Sequence, residues 1–229
     1  MNILELFSGT QSISKAFRKK GHKTFTVDNN NHFNDITDWN IDIKKTTADD
    51  IKEKFTTPDI IWASPPCTTF SVASIGHHWK GGYRAYKPKT KQAKQSQKLV
   101  KHTLNIINEL NPKYYFIENP RGLLRKMEFM YPYKRYTITY CQYGDDRMKP
   151  TDIWTNHPSP QFKTPCSNGD NCHISAPRGS KTGTQGLKNS IERAKIPNEL
   201  CNHIARISEL SCEKAENRKR QLTFKFERR

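Results

Sequence analysis

Short apolar runs alternate with segments of helical period over the first half of the chain, and few architectures accommodate that order. The apolar runs end near Phe7, Val27, Ala63 and Ile117, and the segments between them place apolar residues at helical spacings. A repeated order of strand, helix and strand predicts parallel strands joined by crossover helices. We therefore expect an α/β fold with a doubly wound sheet.

The length and the charge of the chain limit its organisation and its partners. With 229 residues it is long enough for one α/β domain and a small appendage. We expect a core over residues 1–155, a loop-built insert over 156–190, a helix within 191–212 that completes the core, and a basic tail over 213–229. The formal net charge of +17 favours a polyanionic partner, and nucleic acid above all.

The N-terminus and the cysteines point to the cell interior. Residues 2–7 reach an acidic side chain at once, unlike a secretory signal, and no apolar stretch approaches the ~20 residues of a membrane span. We therefore expect a cytoplasmic protein with no membrane partner. Six cysteines in that context are typical of free thiols or metal ligands rather than of a disulfide framework.

A stiff turn that carries one cysteine follows the third apolar run. The sequence there is Ser64-Pro65-Pro66-Cys67, and its two prolines fix φ and remove two backbone donors. Open α/β sheets bind ligands outside the carboxyl ends of their strands, where this turn is expected. The thiol is therefore either a reactive group aimed into a crevice or a packed core cysteine.

The turn after the first apolar run has the composition of a cofactor loop. Phe7-Ser8-Gly9 lies between strand and helix, where glycine lets a ligand approach the backbone. Asp28 ends the second run, near the roughly 20-residue offset at which an acid binds ribose hydroxyls in dinucleotide folds. Gln11 stands where a diphosphate loop has its second glycine, which favours a cofactor without pyrophosphate. The alternative for Asp28 is an aspartate that only starts a turn.

A carboxylate follows the fourth apolar run. Glu118-Asn119-Pro120 comes directly after Ile117, so parallel strands would bring Glu118 to the sheet edge that carries Cys67. A thiolate that attacks an electron-poor ring and a carboxylic acid that protonates a ring nitrogen can work as a pair. The alternative is a simple acid at a helix N-terminus.

In this order, the motifs resemble those of the cytosine-C5 DNA methyltransferases, in the compact form found in phage and bacteria. The resemblance runs from Leu4 to about Arg206. It implies the fold of S-adenosylmethionine-dependent methyltransferases, a Rossmann-like mixed sheet with a small loop-rich target-recognition insert. It rests on Leu6-Phe7-Ser8-Gly9, Asp28, Asp42-Ile43, Ser64-Pro65-Pro66-Cys67, Glu118-Asn119-Pro120, residues 143–154 and Ile196-Pro197.

The resemblance also implies roles for the matching residues. Cys67 would add to C6 of an extruded cytosine, and Glu118 would contact N3 and the exocyclic amine. The remaining catalytic positions are Pro66, Asn119, Lys149 and Thr151. The positions expected to bind S-adenosylmethionine are Phe7, Ser8, Gly9, Thr10, Asp28, Asn29, Asp42, Ile43, Ser64, Pro65 and Ile196.

Two details of this assignment stay open at the sequence level. Asp35-Ile36 offers the same dipeptide as Asp42-Ile43, so either aspartate is a candidate to meet the adenine. The segment from Thr68 to Thr90 has no sustained period and many basic and aromatic residues, which predicts a mobile loop facing nucleic acid. That loop, with Ser71 in it, would cover the extruded base.

Several positions depart from the family pattern. Lys149 and Thr151 stand where the family usually has an arginine pair, and the nearby Arg147 is a candidate to compensate. Arg193-Ala194 replaces the usual Gly-Asn pair of the cofactor site. Because of the departures at Gln11, Lys149, Thr151 and Ala194, an inactive methyltransferase-like protein that binds or shields DNA stays an alternative.

The insert over 156–190 contains His157, Cys166, Cys172 and His173, four groups of the zinc-ligand type. Their irregular spacing leaves either a zinc site or a basic recognition loop with incidental thiols, and we assign no metal. Polar and basic side chains suited to phosphates and base edges are Arg178, Lys181, Thr182, Thr184, Gln185 and Lys188.

The sequence thus predicts an enzyme that transfers a methyl group from S-adenosylmethionine to C5 of cytosine in double-stranded DNA. We expect a monomer in the cytoplasm of a bacterium or a phage-infected cell. Whether it works alone, serves a restriction system or protects a phage genome is not readable from the sequence. RNA is the alternative substrate, because a related group with similar Pro-Pro-Cys and Glu-Asn motifs acts on transfer RNA. The DNA motif is not readable from the sequence.

Overall fold

A seven-stranded mixed sheet forms the centre of the molecule. The computed structural model describes residues 1–82, 85–174 and 189–226. The sheet has the order β3-β2-β1-β4-β7-β9-β8, and a separate pair is made by β5 and β6. The strands are β1 (Asn2–Leu6), β2 (Lys23–Asp28), β3 (Trp39–Asn40), β4 (Ile60–Ala63), β5 (Trp79–Lys80), β6 (Lys87–Pro88), β7 (Tyr114–Pro120), β8 (Arg135–Thr139) and β9 (Pro150–Thr155).

The sheet is parallel from β3 to β7, and β9 runs antiparallel to both of its neighbours. The predicted doubly wound, mixed α/β sheet is therefore confirmed. The antiparallel strand β9 was not predicted, because its segment lies beyond the region of regular hydrophobic period.

Helices cover both faces of the sheet. They are α1 (Ser12–Arg18), α2 (Ala48–Lys54), α3 (Ile75–His78), α4 (Lys91–Leu110), α5 (Ser190–Ala194) and α6 (Asn198–Phe226). Thr47 begins α2 with a capping box that includes Asp50, and the Thr90 hydroxyl caps α4. Among the described residues, no helix has the combination of length and apolar composition that crossing a bilayer requires.

Alternate residues of the central strands fill two separate cores. Ile60 and Trp62 of β4 pack with α1 and α6, whereas Ile61 and Ala63 pack with α2 and α4. All four side chains are buried, as expected for a parallel strand covered on both faces. This double burial explains why these strands appear in the sequence as continuous apolar runs.

Two expectations about local structure are corrected. The segment over 68–90 is not a featureless loop: it contains α3, the β5–β6 pair and a stack of Phe70 on Trp79 with ring centroids 5.5 Å apart. Two residues of this segment, Tyr83 and Arg84, lie outside the described residues. The last helix does not end near 212 but continues to Phe226, since no glycine or proline follows Pro197.

Candidate active site at the carboxyl edge of the sheet

The parallel register brings the predicted functional turns to one edge of the sheet. Leu6 pairs with Val27 on one side and with Ala63 on the other, and Ala63 pairs with Ile117. The residues that follow these positions therefore emerge side by side. They include the turn after β1, Asp28 at the end of β2, the turn after β4 and Glu118 of β7.

The Cys67 turn is fixed by hydrogen bonds from both directions. Asn119 donates from Nδ2 to the Pro65 carbonyl at 2.8 Å, and the Trp62 indole donates to the Ser64 hydroxyl at 2.8 Å. The Phe70 amide donates to the Cys67 carbonyl at 2.9 Å. Pro65 is buried, Pro66 is exposed and Cys67 is partly exposed, so the turn is held in place while its cysteine stays accessible.

A close backbone approach fastens the segment after Cys67 to the segment after Glu118. The Leu123 amide donates to the Phe70 carbonyl at 2.7 Å. A Cβ atom at Gly122 would lie 2.3 Å from that same carbonyl oxygen, so a glycine is required. The two turns therefore keep a fixed separation.

Glu118 is buried and has a partner that sequence reasoning missed. Its Oε1 accepts a 3.0 Å hydrogen bond from the hydroxyl of Tyr140, which follows β8 and is fully buried. Burial and the neighbouring Glu118 raise the pKa of Tyr140 well above its ordinary value, so the hydroxyl stays a donor. In the sequence Tyr140 is only the last residue of an apolar run.

Lys149 and Thr151 lie beside this pair and are both buried. The Lys149 ammonium donates to the Arg193 carbonyl at 3.0 Å and lies 4.6 Å from the Tyr140 ring centroid. The Thr151 hydroxyl donates to the Lys149 carbonyl at 3.1 Å. The proton of the Thr151 hydroxyl is therefore engaged within the protein in this conformation.

Arg147 does not take the place of the missing arginine pair. Its guanidinium pairs with Asp145, with Nε 2.6 Å from Oδ1, and Nη1 donates to the Glu192 carbonyl at 3.1 Å. The expectation that Arg147 compensates is therefore corrected, since a neighbouring carboxylate already neutralises it.

Charges around Cys67 act on its thiol in opposite directions. Burial, and then the Glu118 carboxylate, raise the pKa of Cys67, whereas Lys149 and Arg193 lower it. The net pKa lies above the ordinary thiol value, so the resting side chain is protonated. Arg193 was read in the sequence only as a departure from the cofactor pattern, and its contribution at Cys67 was missed.

The turn after β1 has the strained backbone of a ligand-binding loop. Phe7, Gly9 and Gln11 all have positive φ, at 59°, 45° and 58°. The Gly9 amide donates to Asp28 Oδ2 at 2.8 Å, and the Asn30 amide donates to Oδ1 at 2.8 Å. Asp28 therefore joins the first two strand ends and does more than start a turn.

Two buried polar groups complete this turn. The Gln11 amide group donates to the Ile36 carbonyl and, at 3.2 Å, to the Thr26 hydroxyl, which explains why glutamine replaces glycine there. The Ser8 hydroxyl is buried and has no hydrogen-bond partner among the described residues. An unpaired buried hydroxyl at the crevice indicates a group that awaits a ligand.

The other predicted cofactor positions are spread around this crevice. The Ile41 amide donates to the Asp28 carbonyl at 3.0 Å, which brings Asp42 and the buried Ile43 next to β2, whereas Asp35 is exposed. Asp42 accepts from the Lys44 amide at 3.1 Å. Of the remaining positions, Thr10 is half-buried, Asn29 is exposed and Ile196 is buried beside α6.

The predicted zinc-type set in the insert is corrected at one member. The His157 ring lies elsewhere, with Nε2 2.9 Å from the Ser211 hydroxyl and 3.3 Å from the Ile207 carbonyl. Cys166, Cys172 and His173 instead gather with Cys141. All six cysteines are free, as expected. The proposed base-reading residues lie outside the described residues: Arg178, Lys181, Thr182, Thr184, Gln185 and Lys188.

Comparison with one solved structure supports the fold. The chain resembles a structure named as a DNA modification methyltransferase encoded within an E. coli prophage, with a TM-score of 0.50 and 18% identity over 68% of this chain and 46% of that chain. The Entamoeba histolytica methyltransferase EhMeth aligns with a TM-score of 0.49 and 14% identity, over 68% of this chain and 52% of its own. The chain spans about half the length of these solved proteins.

Sequence comparison identifies the family. A curated relative from Frog virus 3 (isolate Goorha), named a probable DNA (cytosine-5)-methyltransferase, is 32% identical over 176 residues, which cover 75% of this chain and 78% of the relative. A family model described as C-5 cytosine-specific DNA methylase matches residues 1–131. These residues include both crevice turns and Glu118, and the chain therefore belongs to the C-5 cytosine-specific DNA methylase family.

Proposed function

We propose that the protein is a DNA (cytosine-5)-methyltransferase that uses S-adenosylmethionine and a covalent adduct between Cys67 and cytosine C6. The observation that carries this proposal is the juxtaposition of Cys67 and Glu118 on neighbouring parallel strands, with Lys149 and Arg193 acting on the thiol. A packed core cysteine needs neither the buried carboxylate nor the two cations.

The proposed DNA substrate is supported by the net charge of the chain and by the limited accessibility of Cys67. The net charge of +17 suits a DNA backbone, and Cys67 is only partly exposed, on a turn held against the sheet edge. The target cytosine therefore has to leave the stack before Cys67 can meet C6. The segment over 68–82, whose Val72 side chain is 70% exposed, lies next to this turn and is suited to cover the base.

The residues present support a stepwise role for each side chain. The Cys67 sulfur forms a bond to C6 as its thiol proton passes, by way of the Glu118 carboxylate, to N3, which makes C5 a nucleophile. After C5 has gained the methyl group, a base removes the C5 proton, the C6–sulfur bond breaks and the thiolate leaves. Tyr140 holds Glu118 for this work through its 3.0 Å hydrogen bond.

The turn after β1 fits an adenosyl cofactor. Phe7 and Gly9 turn the backbone with positive φ, the Ser8 hydroxyl is buried and unpaired among the described residues, and Asp28 keeps lone pairs free beside its two amide bonds. Asp28 would take the ribose hydroxyls, and Asp42 with Ile43 would take the adenine. The cofactor when bound supplies the electrophilic methyl group.

Glu118 and the cations together suggest how the thiol is activated. In the resting site the Glu118 charge opposes ionisation of Cys67, while Lys149 and Arg193 favour it. When a proton lies between Glu118 and N3 of the cytosine, its positive charge offsets the carboxylate charge that opposes ionisation of Cys67. Ionisation of the thiol is therefore coupled to arrival of the correct base.

The direct test is transfer of a labelled methyl group to duplex DNA. We expect the wild type to label duplex DNA and Cys67→Ala to lose at least about a thousandfold in rate. Cys212→Ala removes a buried thiol of α6 and serves as the matched control, with a rate near that of the wild type. Equal transfer by wild type and Cys67→Ala would overturn the mechanism.

Two further arms separate the alternatives. Competing unlabelled transfer RNA should leave DNA labelling unchanged if DNA is the substrate, whereas preferential labelling of RNA would make RNA the substrate. Calorimetry should detect binding of S-adenosylmethionine by both Cys67→Ala and the wild type. Binding without transfer by the wild type would identify a protein that occupies DNA without modifying it.

A further inference from the structure

A cluster of three thiols and one imidazole lies outside the proposed active site. Cys141 belongs to the turn after β8, and the other three donors come from a loop more than twenty residues later, Cys166, Cys172 and His173. Their four ligand atoms all lie within 4.8 Å of one another. Neither the proposed methyl transfer nor its cofactor uses any of them.

The distances match those of a tetrahedral zinc site. Cys172 Sγ lies 3.8 Å from Cys141 Sγ and 3.6 Å from His173 Nδ1, and Cys166 Sγ lies 3.8 Å from the same nitrogen. Zinc bonds of about 2.3 Å to sulfur and ~2.0 Å to nitrogen place tetrahedral ligand atoms about 3.5–3.8 Å apart. The Cys141–Cys166 pair, at 3.0 Å, is closer than that range but well beyond a disulfide bond of about 2.05 Å.

The loop that carries these donors has little else to hold it. Residues 167–172 are exposed, and Ile174, the apolar side chain that follows the cluster, is 68% exposed. A turn closes the loop through the Ser167 amide, which donates to Asp170 Oδ2 at 2.8 Å, and through Gly169, with φ of 95°. A loop without a buried apolar face usually needs a disulfide or a metal to stay folded.

Neighbouring polar groups orient the four donors. The Cys166 amide donates to the Thr139 hydroxyl at 3.0 Å, and the Ile174 amide donates to the Asp146 carbonyl at 2.9 Å. The Gln142 side-chain amide lies 3.4 Å from Cys172 Sγ, where its N–H group supports a negative sulfur. Such outer contacts are typical of thiolates that ligate a metal.

We propose that Cys141, Cys166, Cys172 and His173 bind one structural Zn²⁺ ion. Three sulfurs and one nitrogen form a closed tetrahedral set with no position left for a substrate, so the ion has a structural role. It ties the start of the recognition insert to the turn that carries Tyr140, the residue next to Cys141. The zinc thereby keeps the insert in register with Glu118, which Tyr140 contacts.

The metal content of the full chain, purified without a polyhistidine tag under reducing conditions, tests this proposal. We expect about one zinc per chain by mass spectrometry of the metal. Cys172→Ala and Cys166→Ala should each lower the zinc content at least about tenfold, whereas Cys212→Ala should keep it. His173→Cys should retain zinc, because it supplies a fourth sulfur.

Cobalt substitution and thiol counting keep the test decisive if a variant folds poorly. Wild type refilled with Co²⁺ should show the intense visible bands of tetrahedral cobalt and a thiolate-to-metal band, and both should be absent from Cys172→Ala. After denaturation with a chelator, all six thiols should react. A wild type that binds neither zinc nor cobalt would overturn the proposal, as would a Cys141–Cys166 disulfide with two thiols fewer.

Discussion

The two halves of the chain assemble their functional groups differently. In residues 1–131, which match the family model, the candidate residues follow strand ends, so the parallel register alone brings them together. In the second half, the groups meet through contacts that no order of strands predicts, such as Lys149 with the Arg193 carbonyl and Cys141 with Cys166. The order of motifs in the sequence therefore predicts the functional residues of the first half. Those of the second half are identified only from the three-dimensional structure.

The largest effect on activity in this comparison is expected from the first half. Glu118→Gln keeps the size of the side chain but removes the proton that N3 needs, so the rate of methyl transfer should fall by about 10²–10⁴-fold. Cofactor affinity should stay near the wild-type value. A Glu118→Gln enzyme with wild-type rate would remove the carboxyl from the mechanism and leave only Cys67.

The stability of the first half should titrate near neutral pH through Glu5. Burial raises the pKa of this β1 carboxyl from 4.5 to about 7, although it accepts bonds from the Ile13 and Ser14 amides at 3.3 and 2.8 Å. The folded state then holds a proton that the unfolded state releases between pH ~4.5 and ~7. Protonation of Glu5 therefore contributes about 3 kcal/mol to the free energy of unfolding below pH ~4.5, and this contribution is lost as the pH rises through ~7.

Urea unfolding of wild type and Glu5→Gln measures this directly. Between pH 5 and pH 8 the free energy of unfolding of the variant should rise relative to that of the wild type by about 2.5 kcal/mol. A chelator that removes the proposed zinc from the second half should lower the free energy of unfolding at both pH values. A constant difference between the two proteins would mean that Glu5 keeps the same protonation state on unfolding.

The second half should control activation of the nucleophile. Lys149→Met removes a buried positive charge that lowers the pKa of Cys67, so the rising limb of the pH–rate profile should move to higher pH. At neutral pH the rate should therefore fall, because a smaller fraction of Cys67 is ionised. Lys52→Met, on the exposed side of α2, is the control for loss of charge and should leave the limb in place.

The smallest effect is expected from the residue that joins the two halves. Tyr140→Phe removes one hydrogen bond to Glu118 and should slow methyl transfer about fivefold, the effect of roughly 1 kcal/mol. Steady-state rates with saturating DNA measure it. An unchanged rate would mean that Glu118 is positioned by β7 alone.

Most of the fold and half of the candidate site could be predicted from the sequence. Double burial makes β1, β4 and β7 continuous apolar runs, and each of their turns carries a recognisable motif. β9 was missed because its hydrophobic pattern is weak and because its antiparallel pairing with β7 and β8 leaves no local signal in the sequence. Tyr140 and Arg193 were missed because their roles depend on contacts with Glu118 and Cys67 across the sheet, which no local pattern records.

The cluster at Cys141 shows the same limit of local sequence patterns. Sequence reasoning grouped the histidines and cysteines of the insert and included His157, since these four lie close together along the chain. The fourth donor is instead Cys141, on the turn after β8, and His157 packs against α6. The spacing of ligands in a sequence predicts a metal site when one loop supplies every donor. It fails when two structural elements share the site.

The central claim is that Cys67 forms the covalent bond to cytosine. Incubation with S-adenosylmethionine and a duplex containing 5-fluorocytosine should trap the adduct, because fluorine at C5 cannot leave as a proton. Mass spectrometry of the digested complex should then find the base on the peptide that contains Cys67. Methylation of ordinary duplex DNA with no trapped adduct, or with the adduct on another cysteine, would contradict the account.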